Sequence, residues 1–137
     1  MLKIKRKADG SIDKYKVRLG AKGFKQKYGV DHTETFSPVV KYVTLRMVIA
    51  LTKYFNWPLD QRDVVTPFLY GVMKEVVYCD VSEGVNFGDG FNNYKLVNTI
   101  YDLKQASRAW SETFNDFVCS IGFQVVDSDP YLSSMIF

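Results

Sequence analysis

An α+β fold is predicted for this chain of 137 residues. Three observations carry that expectation. Two segments of alternating polarity flank an Asp-Gly turn near the start, two isolated stretches have helical spacing, and no regular strand–helix–strand series links them.

The elements follow in order. Residues 2–7 and 12–19 flank Ala8-Asp9-Gly10-Ser11, so they are expected to pair as a hairpin. In its second strand Tyr15, Val17 and Leu19 share one face, and Lys16 and Arg18 the other. Residues 26–40, with Gly29, Asp31, Thr33, Thr35 and Pro38, read as loop. Thr44 is the expected N-cap of a helix to about Phe55, with Leu45, Val48, Ile49, Leu51 and Phe55 at helical spacing, and Pro58 bars its continuation. Residues 59–65 read as a short buried strand, 66–71 as a turn or helical turn, and the β-branched stretch 75–81 as a strand. A Gly- and Asn-rich loop, 82–93, leads through an extended stretch, 95–101, to a second helix at about 105–121. Ala106, Trp110, Phe114, Phe117, Val118 and Ile121 make its apolar stripe, and Gly122 suits the position after its end. A strand at 123–126, a turn at Asp127-Ser128-Asp129-Pro130 and a strand at 131–137 complete the series.

Composition narrows the function. No apolar run approaches the roughly 18 residues of a membrane span, and Met1-Leu2-Lys3-Ile4-Lys5-Arg6-Lys7 is not a secretory signal, so an intracellular, cytoplasmic protein is expected. Cys79 and Cys119 lack metal-type spacing and are expected as buried thiols; a lone His32 builds neither a zinc site nor a Ser-His-Asp triad. Net charge is +3, unevenly placed: residues 1–26 hold nine Lys/Arg against two Asp (+7), leaving nine basic and thirteen acidic residues beyond (−4). A basic lobe on a mildly acidic body points to a polyanion at one end, against the plainer alternative of a solvated hairpin.

The strongest chemical feature is Asp63 in Leu59-Asp60-Gln61-Arg62-Asp63-Val64-Val65. On a strand it faces away from Asp60, so the two are not a carboxylate pair. Among apolar neighbours a carboxylate is costly unless it is paired or binds a cation. A surface aspartate near Arg62 is the plainer alternative.

Four stretches together resemble one family. Tyr15 to Gln26 with Thr35-Phe36-Ser37-Pro38-Val39-Val40, Asp63-Val64-Val65-Thr66-Pro67-Phe68-Leu69-Tyr70-Gly71, Ile100 to Trp110, and Asp127-Ser128-Asp129-Pro130 look like successive segments of copia-type retrotransposon reverse transcriptases. The resemblance covers essentially the whole chain. It implies a partial right-hand polymerase: one domain, about 1–56 fingers-like and 57–137 the first part of a ferredoxin-like palm. It implies RNA/DNA template-primer and deoxynucleoside triphosphates as partners, two Mg²⁺ ions as cofactors, and virus-like particles in intact elements. Asp63 becomes the catalytic, metal-binding carboxylate, with the Val64 carbonyl a further ligand. Arg18, Lys22, Phe68 and Gln105 become nucleotide contacts, and Lys16, Lys104 and Arg108 nucleic-acid contacts. Phe68 keeps a plain core role as its alternative, and Lys104 and Arg108 the role of solvated cations.

Departures from the family pattern limit what this stretch is expected to do. Its second carboxylate motif, Tyr-X-Asp-Asp, does not occur in residues 1–137, and the remaining Pol polyprotein domains are expected to be absent. Pro67 stands for a usual Ala and lacks a backbone donor. Asp102 stands for a usual Gly, Ser107 for a usual Pro, and Gly20 for a usual Val, where Gly weakens a strand. The expectation is a catalytically incomplete fragment; the alternatives are a non-catalytic nucleic-acid-binding remnant and a functionless decayed element.

Overall fold

The computed structural model describes residues 2–82, 84, 85, 88, 90 and 92–135. The architecture is α+β, with the strands of the described residues in three separate two-stranded antiparallel sheets. The first sheet is the expected hairpin, β1 (Leu2–Arg6) and β2 (Ile12–Val17). Its turn forms for local reasons. Gly10 takes φ +85°, and the Asp9 carboxylate accepts from the Ser11 amide at 2.9 Å and the Ser11 hydroxyl at 2.6 Å. Lys3 pairs with Lys16 and Lys5 with Lys14, while Leu2 pairs with Val17 and Ile4 with Tyr15. One face of the hairpin is therefore lysine and the other apolar, and nearly all of it is exposed.

Helix α1 spans Tyr42–Tyr54 and ends with Asn56 in the left-handed region, short of Pro58. Its N-cap position is Lys41, not Thr44, and no residue of the helix is buried. The cap comes from elsewhere: the Asp129 carboxylate accepts from the Lys41 amide at 3.2 Å and from the Thr44 hydroxyl.

The 59–65 stretch is not a strand. It has no regular structure and is exposed throughout, because no neighbouring segment among the described residues offers it a ladder. The expected helical turn follows at Pro67–Leu69. Strand β3 is shorter than expected (Tyr78–Asp80) and pairs with β4 (Asn93–Lys95). Helix α2 (Ala106–Ser120) ends as expected, with Gly122 at φ +97°. Its packing face keeps Ala106, with Trp110 and Val118 half-buried, from the expected stripe and departs from it elsewhere. Ala106, Ala109 and Ser111 are buried, while Phe114, Phe117 and Ile121 are exposed. Hairpin β5 (Gln124–Val126) and β6 (Asp129–Ser134) closes the chain. Ile136 and Phe137, in the expected final strand, lie outside the described residues. The Tyr131 hydroxyl ties that hairpin to α2, 3.0 Å from the Ser111 hydroxyl.

The core is small: Val77, Leu96, Leu103 and Ala106, with Phe68, Met73, Tyr94 and Ile100 against them. Cys79 packs there half-buried, where burial and then Asp80 push its thiol pKa up; Cys119 is exposed, against the buried expectation.

Candidate functional site

Three distant stretches, 18–26, 66–71 and 99–105, meet in one place. The Ala21 amide donates to the Tyr101 carbonyl at 2.8 Å, and Gly20 bridges to Tyr101 in parallel. The Arg18 guanidinium lies 5.3 Å from the Tyr101 ring centroid. Phe68 meets the same ring edge-on at 5.5 Å. Thr99, wholly buried, holds the third stretch: its amide donates to the Gly71 carbonyl at 2.8 Å and its hydroxyl to the Phe68 carbonyl. Tyr101 is thus the hub, and it is not among the residues singled out in the sequence. Its sequence signal is its place in the Ile100–Trp110 stretch beside Asp102.

Gln105 is buried and its amide is committed. It accepts from Gln26 at 3.0 Å and donates to the Asp31 carbonyl at 2.9 Å. Lys104 donates through its ammonium to the Gln26 carbonyl at 3.0 Å, and its amide to the Gln26 side chain at 2.9 Å. Arg108 is ion-paired with Glu34 and with Glu112, and Glu112 also binds Lys74 at 2.6 Å. Hydrogen bonds from Lys74 and then Arg108 hold the Glu112 carboxyl below its usual range. Lys104 is exposed and Arg108 half-buried, and either would exchange these partners to meet a phosphate.

Lys22 lines a cleft of about 650 Å³ together with Lys25, Asp31, Tyr78, Asp80 and Tyr94. Lys16 lies on the lysine face, where Arg18 and then partial burial lower its pKa, with Lys5, Lys14 and Lys3 adding to the effect. Asp63 lies on the exposed 59–65 segment, and Val64 with it. Arg62 pairs with Asp60, at 2.7 Å, rather than with Asp63. The structure brings Arg18 to Phe68 through Tyr101. Among the described residues no three His, Cys, Asp or Glu side chains stand close enough to hold one metal ion.

Residues 2–133 match the reverse transcriptase (RNA-dependent DNA polymerase) family. The chain belongs to that family. Its relatives place it in the copia type. It is 40% identical over 126 residues to the Retrovirus-related Pol polyprotein from transposon RE1 of Arabidopsis thaliana, covering 91% of this chain and 9% of that protein. It is 38% identical over 131 residues to the corresponding polyprotein from transposon TNT 1-94 of Nicotiana tabacum, covering 95% and 10%. The Gag-Pol polyprotein of transposon Ty1-H from Saccharomyces cerevisiae is 26% identical over 86% of the chain. This reverse transcriptase chain spans about a tenth of the RE1 and TNT 1-94 polyproteins it matches. No solved structure matches it significantly. No helix of the described residues is long and apolar enough to cross a membrane.

Proposed function

We propose that this chain supplies the fingers (about 1–56) and the first half of the palm (57–137) of an RNA-directed DNA polymerase. The meeting of Arg18, Tyr101 and Phe68 carries the reading, because three separated motifs share one ring. In this reading the basic arm faces an RNA/DNA template-primer, and a deoxynucleoside triphosphate enters beside that ring. Arg18 and Lys22 hold its phosphates and Phe68 borders its sugar. Gln105 bears on it once its present bonds to Gln26 and Asp31 are exchanged. Lys16, Lys104 and Arg108 contact the nucleic acid, the last two after leaving Gln26, Glu34 and Glu112. The reading also carries cytoplasmic residence, within the particles of an intact element.

Asp63 and the Val64 carbonyl are this stretch's contribution to the metal-holding apparatus. Mg²⁺ supplies positive charge at a transferring phosphoryl group, and each ion wants several oxygen ligands. One carboxylate on an exposed segment does not fit two such ions, so residues 1–137 taken by themselves are catalytically incomplete, whatever accompanies them in a parent protein. The test is photo-crosslinking of an azido-deoxynucleotide to the chain. Labelling should fall sharply in Arg18→Ala/Lys22→Ala; labelling unchanged in that variant would sink the nucleotide-facing assignment.

The lysine face supports a second reading, nucleic-acid binding without catalysis. Lys3 opposite Lys16 and Lys5 opposite Lys14 are like charges directly across a ladder, which is unfavourable without a counter-charge. Strand geometry makes them a grid of about 5 Å by about 7 Å. If all four meet phosphates of a duplex, log affinity should fall against log salt with a slope of about −3.6. Replacing the four by Ala should flatten that slope; an unchanged slope would return the face to solvent.

A further inference from the structure

Two glycines of the basic segment are closed against a single residue. A Cβ added at Gly20 would overlap the Asp102 carboxylate oxygen outright and lie 3.2 Å from its Cγ. A Cβ added at Gly23 would overlap the Asp102 backbone carbonyl oxygen and lie 3.0 Å from the carbonyl carbon. Asp102 itself holds φ +68°, a left-handed conformation that costs a side-chain-bearing residue energy unless its surroundings enforce it. The enforcement is visible on both sides of it. The Tyr101 carbonyl is held by the Ala21 amide, and the Lys104 amide and ammonium are held by Gln26.

We propose that Asp102, Gly20 and Gly23 form one interlocked joint, and that Asp102 is the positioning residue that sets how closely the basic segment approaches the 101–105 turn. The joint delivers Arg18 to the Tyr101 ring and Gln26 to Gln105. It also keeps Gly20 as bare backbone in the wall of the cleft that Lys22 and Lys25 line. The positioning role rests on the nucleotide-facing reading of that cleft; the joint itself does not.

The two glycines meet different parts of Asp102, so they respond differently to its truncation. Gly20 meets a side chain, which Asp102→Gly removes. Gly23 meets backbone, which no substitution at 102 removes. The experiment is hydrogen exchange at the Ala21 amide in Gly20→Ala, Gly23→Ala, Asp102→Gly and the two double variants, with urea midpoints alongside. Gly20→Ala should speed exchange at least tenfold, and Gly20→Ala/Asp102→Gly should return it to within about threefold of the Asp102→Gly chain. Gly23→Ala/Asp102→Gly should stay as fast as Gly23→Ala. If Gly20→Ala does not fold, folding of its double variant is the same rescue. Slow exchange in Gly20→Ala, no rescue at 20, or equal rescue at 23 each overturns the joint. Nucleotide crosslinking to the same variants separates the two levels. A rescued amide with unrescued crosslinking retains the joint and removes its positioning role.

Discussion

Thr66 stands at φ +54°, immediately before Pro67 and the turn that carries Phe68. A β-branched residue is badly suited to that region, and a following proline disfavours helical backbone further. Thr66→Gly should therefore stabilise the chain by about 1 kcal/mol, read as a raised urea midpoint with unchanged slope. A lower midpoint would mean that the Thr66 side chain contributes more than its backbone costs. Asp129 is the opposite case, a buried residue whose polar bonds are made. The Thr44 hydroxyl, then the Tyr131 amide, then the Lys41 amide and its charge hold its carboxyl below the usual 3.8. A folded pKa below the unfolded one adds stability above the unfolded value, lost as pH falls through the folded one. Asp129→Asn should therefore unfold at lower urea than wild type at pH 7, and the gap should close below about pH 4. A gap independent of pH would show that shape, not charge, caps α1. Gly20 and Asp102, two departures that look unrelated along the chain, turn out to face one another, and Gly20 lies beyond the end of β2 rather than inside a strand.

Helix α2 shows how a small-residue face can outrank an aromatic one. Gly71 lies so close to the helix that an added Cβ would stand 2.6 Å from the Thr99 hydroxyl oxygen and 3.0 Å from the Trp110 amide nitrogen. Ala109 stands at that approach and is buried with Ala106 and Ser111, whereas Phe114 and Phe117 are exposed. Gly71→Ala should cost about 2 kcal/mol in urea unfolding, within the ordinary cost of overpacking. An effect near zero would show that the 66–71 turn is not pressed against α2. Helix α1 has the expected helical spacing yet buries nothing, since Leu45, Ile49 and Leu51 are all at least 40% exposed.

At the scale of the fold, the consequential fact is that the strands of the described residues stay in separate pairs. The 59–65 stretch, expected to hold Asp63 on a buried strand, is exposed and has no ladder among the described residues. Purified residues 1–137 are accordingly expected not to extend a primer on an RNA template, with Mg²⁺ or Mn²⁺ supplied. Losing one contact to developing transition-state charge costs on the order of 10²–10³ in rate, and no Tyr-X-Asp-Asp occurs within residues 1–137. Asp63→Asn should change nothing measurable in that assay. Robust extension abolished by Asp63→Asn would overturn the incompleteness.

Local chemistry was readable along the chain. Asp9-Gly10 declared the β1–β2 hairpin, the 66–71 stretch a turn or helical turn, Gly122 the end of α2, and the Asp63–Gly71 and Ile100–Trp110 stretches the family. Each depends on neighbours within a few residues, or on an order of residues that folding does not alter. Contacts between distant stretches were not readable. That 59–65 forms no strand, that Asp129 rather than Thr44 caps α1, that Ala109 and Ser111 pack while Phe114 and Phe117 do not, and that Tyr101 joins Arg18 to Phe68 were decided by the tertiary structure. A strand needs a partner for its amides, a cap can come from any carboxylate brought near, and a helix buries whichever face its neighbour can approach.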